Sequence, residues 1–171
     1  ATRSPSVQKI FMATKGSVTV SPFPRLLPTL LDPAWIRLDL AAASESEAVR
    51  LTCAALAGHR AVIDLARLER DILQRVQLHS LQLAPGITFP HARTTAVRDF
   101  VLALSRWRQA GAPPSHPANL LILLGTPSGR VTDHLAVLSS LARAFSQPDL
   151  REELLAAETP AAFVDAIKLR L

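Results

Sequence analysis

The chain has 171 residues, about the size of one domain, and 49% of them are hydrophobic, enough to build a sizeable core. No apolar run reaches the roughly 20 residues that cross a bilayer, because charges or prolines interrupt each leucine-rich stretch, so a soluble protein without membrane insertion is expected, and the single cysteine fits a reducing, cytoplasmic compartment. The net charge of +5 does not point to nucleic acid: Arg3, Lys9, Lys15 and Arg25 in an acid-free N-terminal segment account for all but one of those charges, tyrosine is absent and aromatics are only 5%.

Residues 1–34 mix Ser, Thr, Pro and basic residues and read as a tail or linker ahead of a domain spanning 35–171. Ser17-Val18-Thr19-Val20 alternates as a short edge strand would, and the basic, acid-free leader also has the look of a transit or signal remnant. Pro22, Pro24 and Pro28 argue against an amphipathic helix there. From Trp35 the alternation of Ile36, Leu38 and Leu40 with Arg37 and Asp39 predicts a half-buried strand. Ser44 and Glu47 form a capping-box pair, and the helix that follows carries Val49, Cys53 and Leu56 on one face and stops at Gly58. A second helix is predicted from Asp64, with Leu65, Leu68, Ile72 and Val76 at helical spacing and Arg75 beside that stripe.

Beyond the Pro85-Gly86 turn, Ile87 and Phe89 suggest a short strand leading into Pro90-His91, and Val97 to Leu104 reads as a longer one. The continuous apolar run Leu120 to Leu124 is typical of a strand covered on both faces. After the Gly125-to-Gly129 turn a helix capped by Thr132 or Asp133 is predicted, with a stripe of Leu135, Leu138, Leu141 and Phe145. Two more helices follow, near Leu150 to Ala157 and from Thr159-Pro160. The fold class is α/β, a mixed central sheet flanked by helices on both faces.

Five histidines and one cysteine carry the candidate chemistry. His91 ends a strand behind a proline that fixes its backbone, and a neutral imidazole has an unprotonated nitrogen able to attack phosphorus. Read alone, a Pro-His pair is more often structural. Arg75, sixteen residues earlier, offers a planar fork suited to a phosphoryl group, or is a solvated helix arginine. His134 falls near a predicted helix N-terminus, where a phosphate is favoured and an imidazolium is not; the alternative is a capping or packing residue. His59 follows the helix-stopping Gly58 and is expected to satisfy the last carbonyls, His79 precedes the motif, and His116 lies in an exposed loop. No histidine set has zinc-ligand spacing, and Cys53 reads as core, so neither a metal nor a cofactor is called for.

The segment Gly86-Ile87-Thr88-Phe89-Pro90-His91-Ala92-Arg93 is similar to the Gly-Ile-Ala-Ile-Pro-His motif of the fructose, mannitol and nitrogen-regulatory type enzyme IIA domains of the bacterial sugar phosphotransferase system. The resemblance spans roughly Ile36 to Leu171 and is anchored by Arg75, this motif and His134. It implies His91 as phosphoryl acceptor, with Arg75 and His134 orienting and neutralising the group. The donor would be phosphorylated HPr or a paralogue, and the recipient an enzyme IIB domain or, in the nitrogen-type branch, regulatory target proteins. An apolar rim including Phe89 and Leu83 would dock them. The chain departs from the family at Val76, where a glutamate is usual, and at His79 to Pro85, where a glycine-containing loop is usual.

Overall fold

The computed structural model describes residues 23–78 and 82–171. The strand expectation for Ser17 to Val20, and His79, lie outside them. Six strands, β1 (Ile36–Ala42), β2 (Gln82–Ala84), β3 (Ile87–Thr88), β4 (His91–Thr94), β5 (Val101–Gln109) and β6 (Asn119–Pro127), form one mixed sheet. Its order is β1-β5-β6-β3-β2, with β4 also paired to β6. β1 runs parallel to β5, β5 antiparallel to β6, and both β3 and β4 parallel to β6. Pro90 has no N–H to offer a ladder, so what would be one strand alongside β6 is split into β3 and β4, and His91 starts the second piece.

Helices cover both faces, as the apolar run of β6 requires. Leu120, Ile122 and Leu124 face a core shared with α4 (Val131–Phe145), α5 (Pro148–Ala156) and α6 (Pro160–Lys168), while Leu121 and Leu123 face α2 (Glu45–Ala54) and α3 (Leu65–Leu78). The Ser44 hydroxyl accepts from the Glu47 N–H at 3.2 Å, and the Glu47 carboxylate reaches back to the Ala43 N–H. Asp64 caps α3 through the Arg67 N–H, and Thr159 caps α6 through the Ala162 N–H. Cys53 is fully buried, and burial pushes its thiol up to about 12, so it belongs to the core.

Several expectations are corrected. Residues 23–34, read as tail, include helix α1 (Phe23–Leu30) and a 3-10 turn (Pro33–Trp35), and Leu27 and Leu31 are buried in the core. The helix tolerates Pro28 at the cost of one backbone hydrogen bond, which the burial of Leu27 and Leu31 offsets. Gln82 to Ala84, read as loop, form β2 and hairpin with β3 across Pro85-Gly86, where Gly86 takes φ +75°. The strand expected from Val97 starts at Val101, because residues 96–98 turn aside to bond Ala61, Ile63 and Asp64 through their backbone. The buried stripe of α4 is His134, Val137, Leu141, Ala144 and Phe145, and Leu135 is 58% exposed. Its N-cap is Arg130, while Asp133 pairs with the Arg130 guanidinium at 2.8 Å instead of capping.

Arg106 closes one end of α5. Its Nη1 lies 2.8–3.0 Å from the carbonyl oxygens of Leu154, Leu155 and Ala157, and its Nε donates to Leu38 O. Gly125 governs how closely α3 seats on the sheet. A Cβ there would sit 2.8 Å from Val101 Cγ2 and 3.0 Å from Leu68 Cδ1. Gly125→Ala should therefore cost about 1–3 kcal/mol through overpacking, more than the fraction of a kcal/mol that removing a glycine restores through the unfolded chain. Urea unfolding would read it; an unchanged midpoint would mean α3 shifts freely.

Candidate active site

His91 opens β4 opposite Leu124 of β6, which puts its side chain on the α4 face of the sheet. Its Nδ1 lies 2.7 Å from the Phe89 carbonyl oxygen. A carbonyl only accepts, so Nδ1 carries the proton and Nε2 keeps its lone pair. Burial lowers the ring's pKa, helped by the Arg75 guanidinium and opposed by the Phe89 bond, so the neutral form prevails near neutrality.

His134 comes to the same place from α4. The ring centroids of His91 and His134 are 5.5 Å apart, well inside the distance at which a phosphoryl group could touch both. It sits in the first turn of α4, with its backbone N–H already donating to Arg130 O, and its ring is 6% exposed. Nδ1 lies 2.8 Å from the buried Thr126 hydroxyl. When the hydroxyl donates, Nε2 bears the proton and can offer it to an anion. Burial first, then the positive surroundings of His91, Arg93 and Arg75, push its pKa down to about 4.

Arg75 reaches the site from the other face. It lies two turns beyond Leu68 on α3 and is exposed, in the last turn of the helix packed on β4. It lines a cavity of about 350 Å³ with Arg67, Asp71, Arg93 and Thr94. Thr94 donates to the Asp71 carboxylate at 2.6 Å, fixing α3 against β4. The three expected site residues thus converge: two rings in contact and one guanidinium that acts electrostatically on both.

Two members of this cluster escaped the sequence reading. Arg93 was legible, since residues two apart on a strand share a face, which places it beside His91 and opposite Thr126. Thr126 had only the weak signal of a hydroxyl ending an apolar run. The expected docking rim is also corrected. Phe89 is 5% exposed and packs its ring 5.4 Å from that of His91, beneath the surface. The exposed apolar residues of the neighbourhood are Leu78 on the cavity wall, and Val131 and Leu135 in the opening turns of α4. The His59 backbone N–H donates to Leu56 O just beyond α2 while its ring accepts from the Ala61 N–H, and His116 is exposed. Among the described residues no three of His, Cys, Asp and Glu converge as metal ligands, and no helix is long and apolar enough to cross a membrane.

The chemistry available is a neutral nucleophilic ring, a buried proton-donating ring and two cations, which suits a dianionic phosphoryl group. The chain is 36% identical over 85 residues to a fructose-specific EIIA component of Haloferax volcanii; the match covers 48% of this chain and 55% of that protein. Its fold matches a nitrogen regulatory protein IIA-Ntr from Neisseria meningitidis with a TM-score of 0.71 and 27% identity, over 83% of this chain and 99% of that one. It also matches the enzyme IIA mannitol, solved in complex with phosphorylated enzyme IIB from Escherichia coli, with a TM-score of 0.62 and 20% identity, over 82% and 98%. Residues 29–169, which hold all six described strands, His91, His134 and the cationic cavity, match the family model of the phosphoenolpyruvate-dependent sugar phosphotransferase system, EIIA 2, and the chain belongs to that family.

Proposed function

We propose that the chain is a cytoplasmic phosphoryl carrier of the phosphotransferase system with His91 as the acceptor. Nε2 of His91 attacks the phosphorus of a phosphohistidine on HPr or a paralogue. The new N–P bond forms as the donor's N–P bond breaks, and the donor imidazole leaves with its electron pair. The ring of His91 gains positive character, which strengthens its Nδ1–H bond to Phe89 O. Arg75 and Arg93 meet the charge on the phosphoryl oxygens, and His134 donates to one of them. The observation that carries this reading is the His91 tautomer: the Phe89 carbonyl holds the proton on Nδ1 and leaves Nε2 nucleophilic within 5.5 Å, centroid to centroid, of a second buried ring.

The recipient is a cysteine or histidine of an enzyme IIB domain, a reading supported by the IIB complex of the mannitol relative. Leu78, Val131 and Leu135 supply the transient apolar contact. Incubation with phosphorylated HPr, followed by intact mass under alkaline conditions, should show one acid-labile phosphoryl group. A protein that stays unmodified with its own carrier would refute the proposal.

The near-complete match to the Neisseria protein favours a second reading, in which phosphorylation state controls binding to regulatory targets instead of feeding sugar uptake. Neighbouring genes for IIB and IIC components would favour uptake. A partner bound by only one phosphorylation state would favour regulation.

Arg75→Lys tests the cationic wall. Lysine keeps the charge but loses the bidentate fork, worth about one charge-assisted hydrogen bond, so phosphoryl transfer should slow by roughly tenfold with the fold intact. Quench-flow rates equal to wild type would return Arg75 to a solvated surface role.

A further inference from the structure

A second, larger cavity of about 980 Å³ opens between the end of α1, the α2–α3 connection and the turn before β5, and shares no lining residue with the cavity beside His91. One wall is aromatic. The half-buried Trp35 ring lies 4.7 Å from that of His59, centroid to centroid, at 47°, so the two rings form an angled corner. The Ala61 N–H donates to His59 Nδ1, and an amide only donates, so the imidazole is the Nε2–H tautomer with one donor to spare.

The charges around this corner are unevenly matched. The Asp99 carboxylate is engaged by the Phe100 N–H and by Arg130 at 3.3 Å. Asp32 accepts the Ala34 N–H on Oδ1, and no bond to its Oδ2 is made among the described residues. The guanidinium groups of Arg60 and Arg98, both exposed, have no hydrogen-bond or ion-pair partner among the described residues, yet both line the cavity. Arg60, Asp32 and Asp99 line the cavity with His59 and all act electrostatically on it; burial first, and then Arg60, keep that ring neutral.

We propose that this cavity binds a nucleoside monophosphate. The base packs on the Trp35 ring, the phosphate is taken by the Arg60 and Arg98 forks with the His59 Nε2–H, and the Asp32 carboxylate accepts from the ribose hydroxyls. The volume falls within the range of small-molecule sites, and a single phosphate suits two arginines with no cluster of acids to hold a divalent cation.

Calorimetric titration of the full chain with AMP and with UMP, alongside tryptophan fluorescence, tests this. Saturable binding with Kd below about 1 mM is expected for at least one of them. Arg60→Ala and Arg98→Ala should each weaken it by about tenfold or more, and both residues are exposed enough for the variants to fold. Trp35→Leu should weaken it and abolish the fluorescence change, whereas Arg75→Ala should leave it untouched. Three results would overturn the proposal: no saturation by about 1 mM; ribose 5-phosphate or inorganic phosphate binding as tightly as the nucleotides, which would remove any role for the base; or loss of binding in Arg75→Ala, which would place the phosphate in the His91 cavity.

Discussion

His91→Ala protein mixed with phosphorylated HPr from its own source is expected to carry no phosphoryl group, where the wild type carries one. The effect should be complete because, among the described residues, Cys53 and His134 are disabled by their surroundings and His59 lies elsewhere. Cys53 is buried, and its thiol is held protonated by a pKa pushed up to about 12. The ring of His134 is 6% exposed and its Nδ1 is committed to Thr126, so it cannot meet an incoming donor in line. His59 lines the separate cavity beside Trp35, away from Arg75 and Arg93. His91 is itself only partly buried, and among the described residues its side chain hydrogen-bonds only to Phe89 O. Alanine there should change stability by no more than about 1 kcal/mol, so lost labelling would report chemistry and not unfolding. A mutant that still gains the acid-labile adduct would move the acceptor elsewhere and leave the His91 tautomer without a function.

Much of this arrangement could be read from local signals. The apolar run of β6 requires cover on both faces, the Ser44-Glu47 and Thr159-Pro160 signatures place two helix starts, and the Pro90-His91 step marks where the strand alongside β6 is broken. What could not be read depends on contacts between distant segments. Helix α1 contains Pro28 and is held by the burial of Leu27 and Leu31, which no local propensity reports. In α4 the expected stripe is right at Leu138, Leu141 and Phe145 but wrong at Leu135, which is exposed. The helix is turned so that His134 and Val137 point inward, because the Thr126 hydroxyl and the His91 ring are there to receive a polar residue. Arg106 looked like one more strand arginine, yet it satisfies carbonyls at the end of α5, some fifty residues away. The site shows the same division: His91 and Arg93 share a strand face by simple alternation, whereas the meeting of His134 with them is a product of topology.

The second large effect belongs to His134 and depends on pH. The unfolded ring takes up its proton near pH 6.5, while the folded ring stays neutral down to about 4. The stability this represents is therefore full above pH 6.5 and is lost as pH falls from there towards 4, by about 3 kcal/mol over the whole window. His134→Gln removes the titration but keeps an amide that can bond the Thr126 hydroxyl. Its urea-unfolding free energy should resemble the wild type's above pH 6.5 and exceed it by about 3 kcal/mol near pH 4. The depressed pKa of His91 contributes a loss of the same sign to both proteins, so the difference between the two curves reports His134 together with its coupling to His91. Parallel curves would show that His134 is not held neutral by its surroundings. Transfer kinetics separate the chemical role from the packing role. Glutamine still offers a donor to the phosphoryl group whereas alanine offers none, so onward transfer should fall by about a hundredfold in His134→Ala and much less in His134→Gln. Equal rates in the two variants would reduce His134 to a buried neighbour of His91 and leave phosphoryl stabilisation to Arg75 and Arg93.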